Sequence, residues 1–149
     1  FFAVRLAGKG SIIRILNVDS PDCVKILLDN GANIDESGFM GTPLDIAAAK
    51  DNLNIVQLLL TYGATIDEGA LYSACESKND RIVKRFLESG ADIDVKDSKG
   101  ETQLHRACRA ANNSLAIFLQ RYGADITVTN GAGRTPLEVA RLQPPYQPF

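Results

Sequence analysis

No stretch of this 149-residue chain is apolar over anything near the ~20 residues of a membrane-spanning helix, so no contact with a membrane is expected. Histidine occurs once and cysteine three times. No Cys-x-x-Cys pair is present, and tetrahedral metal ligation would need further ligands nearby. An odd number of cysteines without paired spacing also suits a reducing compartment better than a disulfide scaffold, so the expected location is cytoplasmic or otherwise intracellular. The chain begins at Phe1 and not at methionine, and it shows no signal peptide. The expectation is a processed, trimmed or partial piece of something longer.

Other signatures are incomplete in ways that exclude chemistry. Gly8-Lys9-Gly10-Ser11 lacks the glycine five residues before its Gly-Lys pair that a phosphate loop requires, and Gly131-Ala132-Gly133 is explained as the turn before a helix start. Lys78, Arg81, Lys84 and Arg85 cluster on or near one helix, but no aromatic residues interleave with them as a nucleic-acid platform needs. They read as a solvated convex face. The net charge is −2, with 5 basic and 9 acidic residues in 1–75 against 11 and 9 in 76–149. Both signs stay interspersed, so ordinary solvated surface is favoured over a charge-reading site. At 45% hydrophobic content the chain can build one elongated core.

What the chain does have is repetition. Gly31-Ala32-Asn33-Ile34-Asp35 recurs as Gly63-Ala64-Thr65-Ile66-Asp67, Gly90-Ala91-Asp92-Ile93-Asp94 and Gly123-Ala124-Asp125-Ile126, at steps of 32, 27 and 33 residues. That period belongs to a solenoid. Upstream by 21 residues from the last three glycines stand Thr42-Pro43-Leu44-Asp45-Ile46-Ala47-Ala48, Gly69-Ala70-Leu71-Tyr72-Ser73-Ala74-Cys75 and Thr102-Gln103-Leu104-His105-Arg106-Ala107-Cys108. A further start, Thr135-Pro136-Leu137-Glu138-Val139-Ala140, has no partner glycine. The pattern resembles the ankyrin-repeat family, whose unit of about 33 residues is a hairpin-like turn followed by two antiparallel helices with a T-P-L-H-x-A signature. The resemblance covers about residues 36–142.

Local chemistry supports the same unit. Thr42 is placed to cap a helix with its hydroxyl, and Pro43 falls at the first helical position, where a missing N–H costs nothing. Leu44, Ala47 and Ala48 lie on one face at i, i+3 and i+4. After a turn at 50–52, Ile55, Val56, Leu58, Leu59 and Leu60 give a second helix a broader apolar face, and Gly63 stops it. One such pair cannot cover its own apolar face, so stability must come from stacking. Leu44, Ala47, Leu59, Leu71, Ala74, Leu104, Ala107 and Leu137 share this register and are expected to be buried.

The expected fold is therefore all-α: an ankyrin-repeat solenoid of helix-turn-helix units with projecting hairpin loops, one hairpin clipped and the terminal units degenerate. It forms a single domain over 1–142, with a capping unit at 1–35, repeats at 36–67, 68–94 and 95–126, and a half repeat at 127–142. Two registers remain open for residues 1–30, with the first helix at either Ser11–Leu16 or Phe1–Ala7. Pro144 and Pro145 forbid another helix, leaving 143–149 as an extended tail. Only six residues separate Ala64 from Leu71, against eleven and twelve at the equivalent places (32 to 44, 91 to 104), so the third hairpin must be clipped. Tolerance of loop deletion explains this most simply, although the gap could also admit a ligand element.

The resemblance makes His105 a structural residue that hydrogen-bonds between neighbouring turns, and makes Cys75 and Cys108 buried packing residues. Cys23 is read as another packing residue on a helix face. No catalytic, metal or cofactor residue is assigned. A nucleophilic cysteine lacks an orienting acid and an oxyanion site, and the chain is read as no enzyme.

Surface recognition remains. In the family a partner meets the hairpin tips and the exposed side of the first helices, on the concave face. Carried over by register, these positions are Glu36, Phe39, Met40, Ala49 and Lys50; Glu76 and Ser77; Lys96, Ser98, Lys99, Glu101, Arg109 and Ala110; and Thr129 and Arg134. An aromatic and a pliable thioether at a turn make Phe39-Met40 a binding anchor, unless Phe39 folds back on the neighbouring hairpin. The expected function is a protein-protein interaction module, monomeric alone, acting as an inhibitor or targeting subunit. The alternative is a regulatory segment of a larger enzyme or effector whose catalytic domain lies elsewhere.

Overall fold

The computed structural model describes residues 11–16, 19–77 and 80–142. Among these the chain forms nine helices and no strand: α1 (Ile12–Ile15), α2 (Pro21–Asp29), α3 (Pro43–Ala49), α4 (Leu53–Thr61), α5 (Glu68–Glu76), α6 (Asp80–Glu88), α7 (Gln103–Arg109), α8 (Asn113–Arg121) and α9 (Pro136–Arg141). They divide into two compact units, residues 1–91 and 92–149.

In the first unit, α3 starts where Thr42 and Asp45 exchange hydrogen bonds. The Asp45 amide donates to Thr42 Oγ1 at 3.3 Å and the Thr42 amide donates to Asp45 Oδ2 at 2.8 Å, satisfying two orphan donors reciprocally. Lys50 ends the helix, Asp51 turns the chain at φ 60°, and the Asn52 side chain caps α4 by accepting from the Ile55 amide at 3.1 Å. Gly63, at φ 86°, closes α4 with bonds from its own amide to Leu60 O and from the Ala64 amide to Leu59 O, both 3.0 Å. The first helices α3 and α5 pack side by side, and α4 lies against α2 and α6. Leu44, Ala47, Leu59, Leu71 and Ala74 are all buried at the contacts, with Ile55, Ile82 and Phe86 filling the layer between them. The two alanines are there because adjacent first helices approach too closely for larger side chains.

The second unit repeats the plan. Asn112 caps α8 after a turn through Ala111 at φ 51°, and a reciprocal pair, Thr135 with Glu138, caps α9. α7 packs on both α8 and α9, burying Leu104, Ala107, Leu115, Leu119 and Val139. Leu137, expected in the core, is 58% exposed. Among the described residues no second helix follows α9, so nothing arrives to cover the face that α4 and α8 cover elsewhere.

Of the two N-terminal registers, the helix at Ile12–Ile15 is observed, with Leu16 buried; the other, at 1–7, lies outside the described residues. So do Lys78 and the tail 143–149. The third hairpin is indeed missing. Asp67 passes directly into α5 as its cap, accepting from the Ala70 amide at 2.9 Å. Its register mates Asp35 and Asp94 instead reach the next repeat, accepting from the Thr65 amide and hydroxyl at 3.0 and 2.8 Å and from the Asp125 amide at 3.0 Å.

Two cysteine expectations need correction. Cys23 is exposed in the first turn of α2, and Cys108 is half-buried at the end of α7. Cys75 is buried as expected, which pushes its thiol up to about 12, and burial raises Cys108 as well. Thiols held protonated in this way make poor nucleophiles and ligands.

Candidate interaction surface

The second repeat projects a finger whose tip is set by glycine placement. Gly38 and Gly41 form a two-bond antiparallel bridge, at 3.0 and 3.2 Å, around the two-residue loop Phe39-Met40. Gly41 adopts φ 96°, a conformation that costs other residues dearly, and a Cβ there would strike the Asp45 carboxylate. So tight a loop turns both intervening side chains outward. Phe39 is 107% and Met40 73% exposed, so Phe39 does not fold back on a neighbour.

One flank of this finger is anchored. Glu36 accepts from Ser11 Oγ at 2.7 Å and from the Ile13 amide at 3.1 Å, and a Cβ on Gly38 would lie 2.9 Å from Ile13 Cδ1. Glu36, expected to face a partner, is thus half-buried and holds the start of α1. Lys50, at the end of α3, is exposed and donates to Leu16 O at 3.1 Å. Glu76 and Ser77 are exposed at the end of α5, where the Ser77 hydroxyl donates to Ala74 O. Tyr72, 36% exposed on α5, was not picked out from sequence, although an aromatic beside the buried Leu71 was the available signal.

In the second unit two fingers, 97–102 and 130–135, stand together. Asp97 organises the first by accepting from the Lys99 and Glu101 amides at 2.8 and 2.9 Å, which, against its desolvation, hold its carboxyl below the ordinary range. Asn130 does the same work in the second, accepting from the Ala132 and Arg134 amides. The fingers join where the Gly131 amide donates to Lys99 O at 3.0 Å and Lys96 Nζ donates to Thr129 O at 2.9 Å. Gly131 and Gly100 must be glycines here: a Cβ on either would come within 2.7 Å of the opposite backbone.

Lys96, Ser98, Lys99, Arg109 and Arg134 are exposed as expected. Glu101 is not, at 5% exposure. Both its oxygens pair with the Arg109 guanidinium, one at 2.6 Å, and this partner holds its carboxyl below the usual range. The register placed Glu101 on the finger, but the finger's own return folds that side chain beneath Arg109.

His105 performs the structural role that the resemblance implied. It is fully buried, its Nδ1 accepts from the Thr102 amide at 3.2 Å, and that leaves Nε2–H to donate to Arg134 O of the next finger at 2.9 Å. The tautomer follows from the backbone partners. In the second repeat the same position is Asp45. Its Oδ1 is buried without a hydrogen-bond partner, and burial first, then the nearby Asp67 charge, raises its carboxyl above the ordinary range.

Among the described residues no three histidine, cysteine or carboxylate side chains converge as a metal cage, and no helix is long and apolar enough to cross a membrane. One open cleft of about 430 Å³ lies in the first unit between Asp19, Lys50, Asn52 and Arg81, polar and balanced in charge.

Two-helix repeats with rigid projecting fingers and small-residue helix contacts define a class of repeat protein whose ligands meet an exposed surface. The family described as ankyrin repeats (3 copies) matches residues 11–70 and 71–143. The chain belongs to the ankyrin-repeat family, whose members are generally protein-protein interaction modules and typically non-catalytic. It is 32% identical over 89 residues to human ankyrin repeat and SOCS box protein 11, covering 56% of this chain and 28% of that protein. It is 33% identical over 97 residues to the mouse B-cell lymphoma 3 protein homolog, covering 60% and 22%. It is 34% identical over 84 residues to a Caenorhabditis elegans transient receptor potential cation channel subfamily A member 1 homolog, covering 52% and 7%. The chain thus spans less than a third of the length of these relatives.

Proposed function

We propose that this chain binds another protein through its finger tips and the exposed ends of its first helices, as a monomeric, intracellular module over residues 1–142 with an inhibitory or targeting role. The observation that carries this reading is the two-residue loop, closed by the Gly38–Gly41 bridge, that holds Phe39 fully and Met40 largely in solvent. Large apolar side chains are expensive to expose and unusual at turns, and a rigid scaffold lowers the entropy lost when they are covered. In the second unit the exposed Lys99, Arg109 and Arg134 supply rim charges of the kind that set association rate and salt dependence. The short share of each relative that the chain covers favours a second reading, in which these repeats are the recognition segment of a longer chain whose other part acts.

The test is affinity capture from the source organism with wild-type protein, followed by the same capture with Phe39→Ala/Met40→Ala. Arg109→Ala is unsuitable because it would strand the buried Glu101. Loss of the specifically retained protein, with an unchanged unfolding transition, is the expected result. Undiminished capture by that variant, combined with loss on Arg81→Ala/Lys84→Ala, would move the binding surface to α6.

A further inference from the structure

We propose that the space beside the 36–41 finger, left by the missing third hairpin, is a docking notch for a basic, glycine-bearing loop of a partner protein. This rests on the protein-binding reading above and specifies what the partner brings. The second unit shows what a finger receives when a follower is present. There the follower offers a glycine amide, Gly131, to the carbonyl of Lys99, at an approach so close that only glycine fits.

Counted back from the capping threonines Thr42 and Thr102, the counterpart of Lys99 is Phe39. The chain supplies no follower for it, because Asp67 enters α5 directly. The finger is therefore fastened on one side, through Glu36 and Gly38 to Ser11 and Ile13, and uncovered on the side where a follower would stand. Phe39 stands fully exposed on this finger and Met40 largely so.

Charge selects the occupant. The segments bordering the notch, 36–41 and 64–70, contain no lysine or arginine, and with Glu36 turned to the fastened flank their acidic groups on the open side are Asp67 and Glu68. Asp67 and Glu68 are exposed, and Asp45 forms the floor, close enough to Gly69 that a Cβ there would lie 3.1 Å from its Oδ2. Acidic side chains beside an apolar tip repel phosphate groups of lipid or nucleic acid and attract lysine or arginine. A loop with a glycine at its turn and a flanking cation replaces what the missing hairpin would have donated, and covers Phe39 and Met40 at the same time.

The test is selection of disulfide-closed random peptide loops from a display library on the full chain, followed by affinity measurement of the enriched loops by fluorescence polarisation. Three variants are compared: Phe39→Ser, Glu68→Lys, and a filled form with the five-residue sequence of Asp97–Glu101 inserted between Ile66 and Asp67. The expected result is a consensus containing glycine and lysine or arginine, with binding about tenfold or more weaker in each variant and weakened by salt. Should the filled form fail to fold by circular dichroism, the two point variants decide. Loops that need Phe39 but are indifferent to filling and to Glu68→Lys would overturn the notch while leaving the protein-binding surface in place. An acidic consensus would also overturn it. Enrichment of no loop, or only of loops insensitive to all three changes, would count against both.

Discussion

Asp45→Asn should stabilise this protein. Asp45 is 9% exposed, its Oδ2 accepts the Thr42 amide at 2.8 Å, and its Oδ1 is enclosed without a hydrogen-bond partner. In the fourth repeat the same position is His105, whose outer nitrogen donates to the next finger. The second repeat has no next finger and no donor, and Asp67 adds a like charge. Asparagine keeps the acceptor for Thr42, removes the buried charge and, where Oδ1 stood, presents an N–H₂ donor to the neighbouring Asp67 carboxylate. An unsatisfied buried polar atom costs ~1–3 kcal/mol, and the partly open edge of the site argues for the lower half, so the gain should be about 1–2 kcal/mol. That corresponds to roughly 2–8 °C in Tm for a chain of this size.

The pH dependence provides the sharper assay. Because the folded state raises this carboxyl, the folded chain binds more protons than the unfolded one between the ordinary carboxylate value and the raised value. Wild-type stability from this group is therefore greatest at low pH and is lost as pH rises through the raised value, whereas asparagine does not titrate. The gap between variant and wild type should widen with pH across that window and then stay level. Glu101, lowered by Arg109, works in the opposite direction in both proteins and cancels in the difference. Urea unfolding followed by circular dichroism at a series of pH values measures this. A variant less stable than wild type at neutral pH, or a difference that ignores pH, would refute the reasoning.

Gly100→Ala should cost about 1–3 kcal/mol more than Gly123→Ala, because both have positive φ but only the first meets a backbone, that of Gly131. Equal urea midpoints would deny the close approach of the two fingers. Ala74→Leu and Ala107→Leu should each destabilise by roughly 1–3 kcal/mol, while Leu137→Ala, on an exposed face, should stay within about 0.5 kcal/mol in the same unfolding assay. His105→Gln should lower stability by about 1–2 kcal/mol through its lost bonds to Thr102 and Arg134, with partner capture nearly intact. Loss of capture without loss of stability would give His105 a role at the surface.

The repeat, the all-α class and the buried register of all but Leu137 are legible in the residues alone. Thr42-Pro43, the Gly63-Ala64 stop and the alanines at 74 and 107 act over one or two turns, and their chemistry is local enough to read without coordinates. The deleted hairpin was equally legible, being a matter of counting between Ala64 and Leu71. Tertiary structure decided what lies beside each residue. Glu101 and Lys99 are two residues apart on one finger, yet only the folded turn sends Glu101 under Arg109 and leaves Lys99 in solvent. Leu137 matches Leu44 in register but differs in exposure, since burial requires a neighbouring helix that no local pattern supplies. Phe39 could have packed on a hairpin or faced outward. Its sequence allowed both, and the tight loop closed by the Gly38–Gly41 bridge left it in solvent.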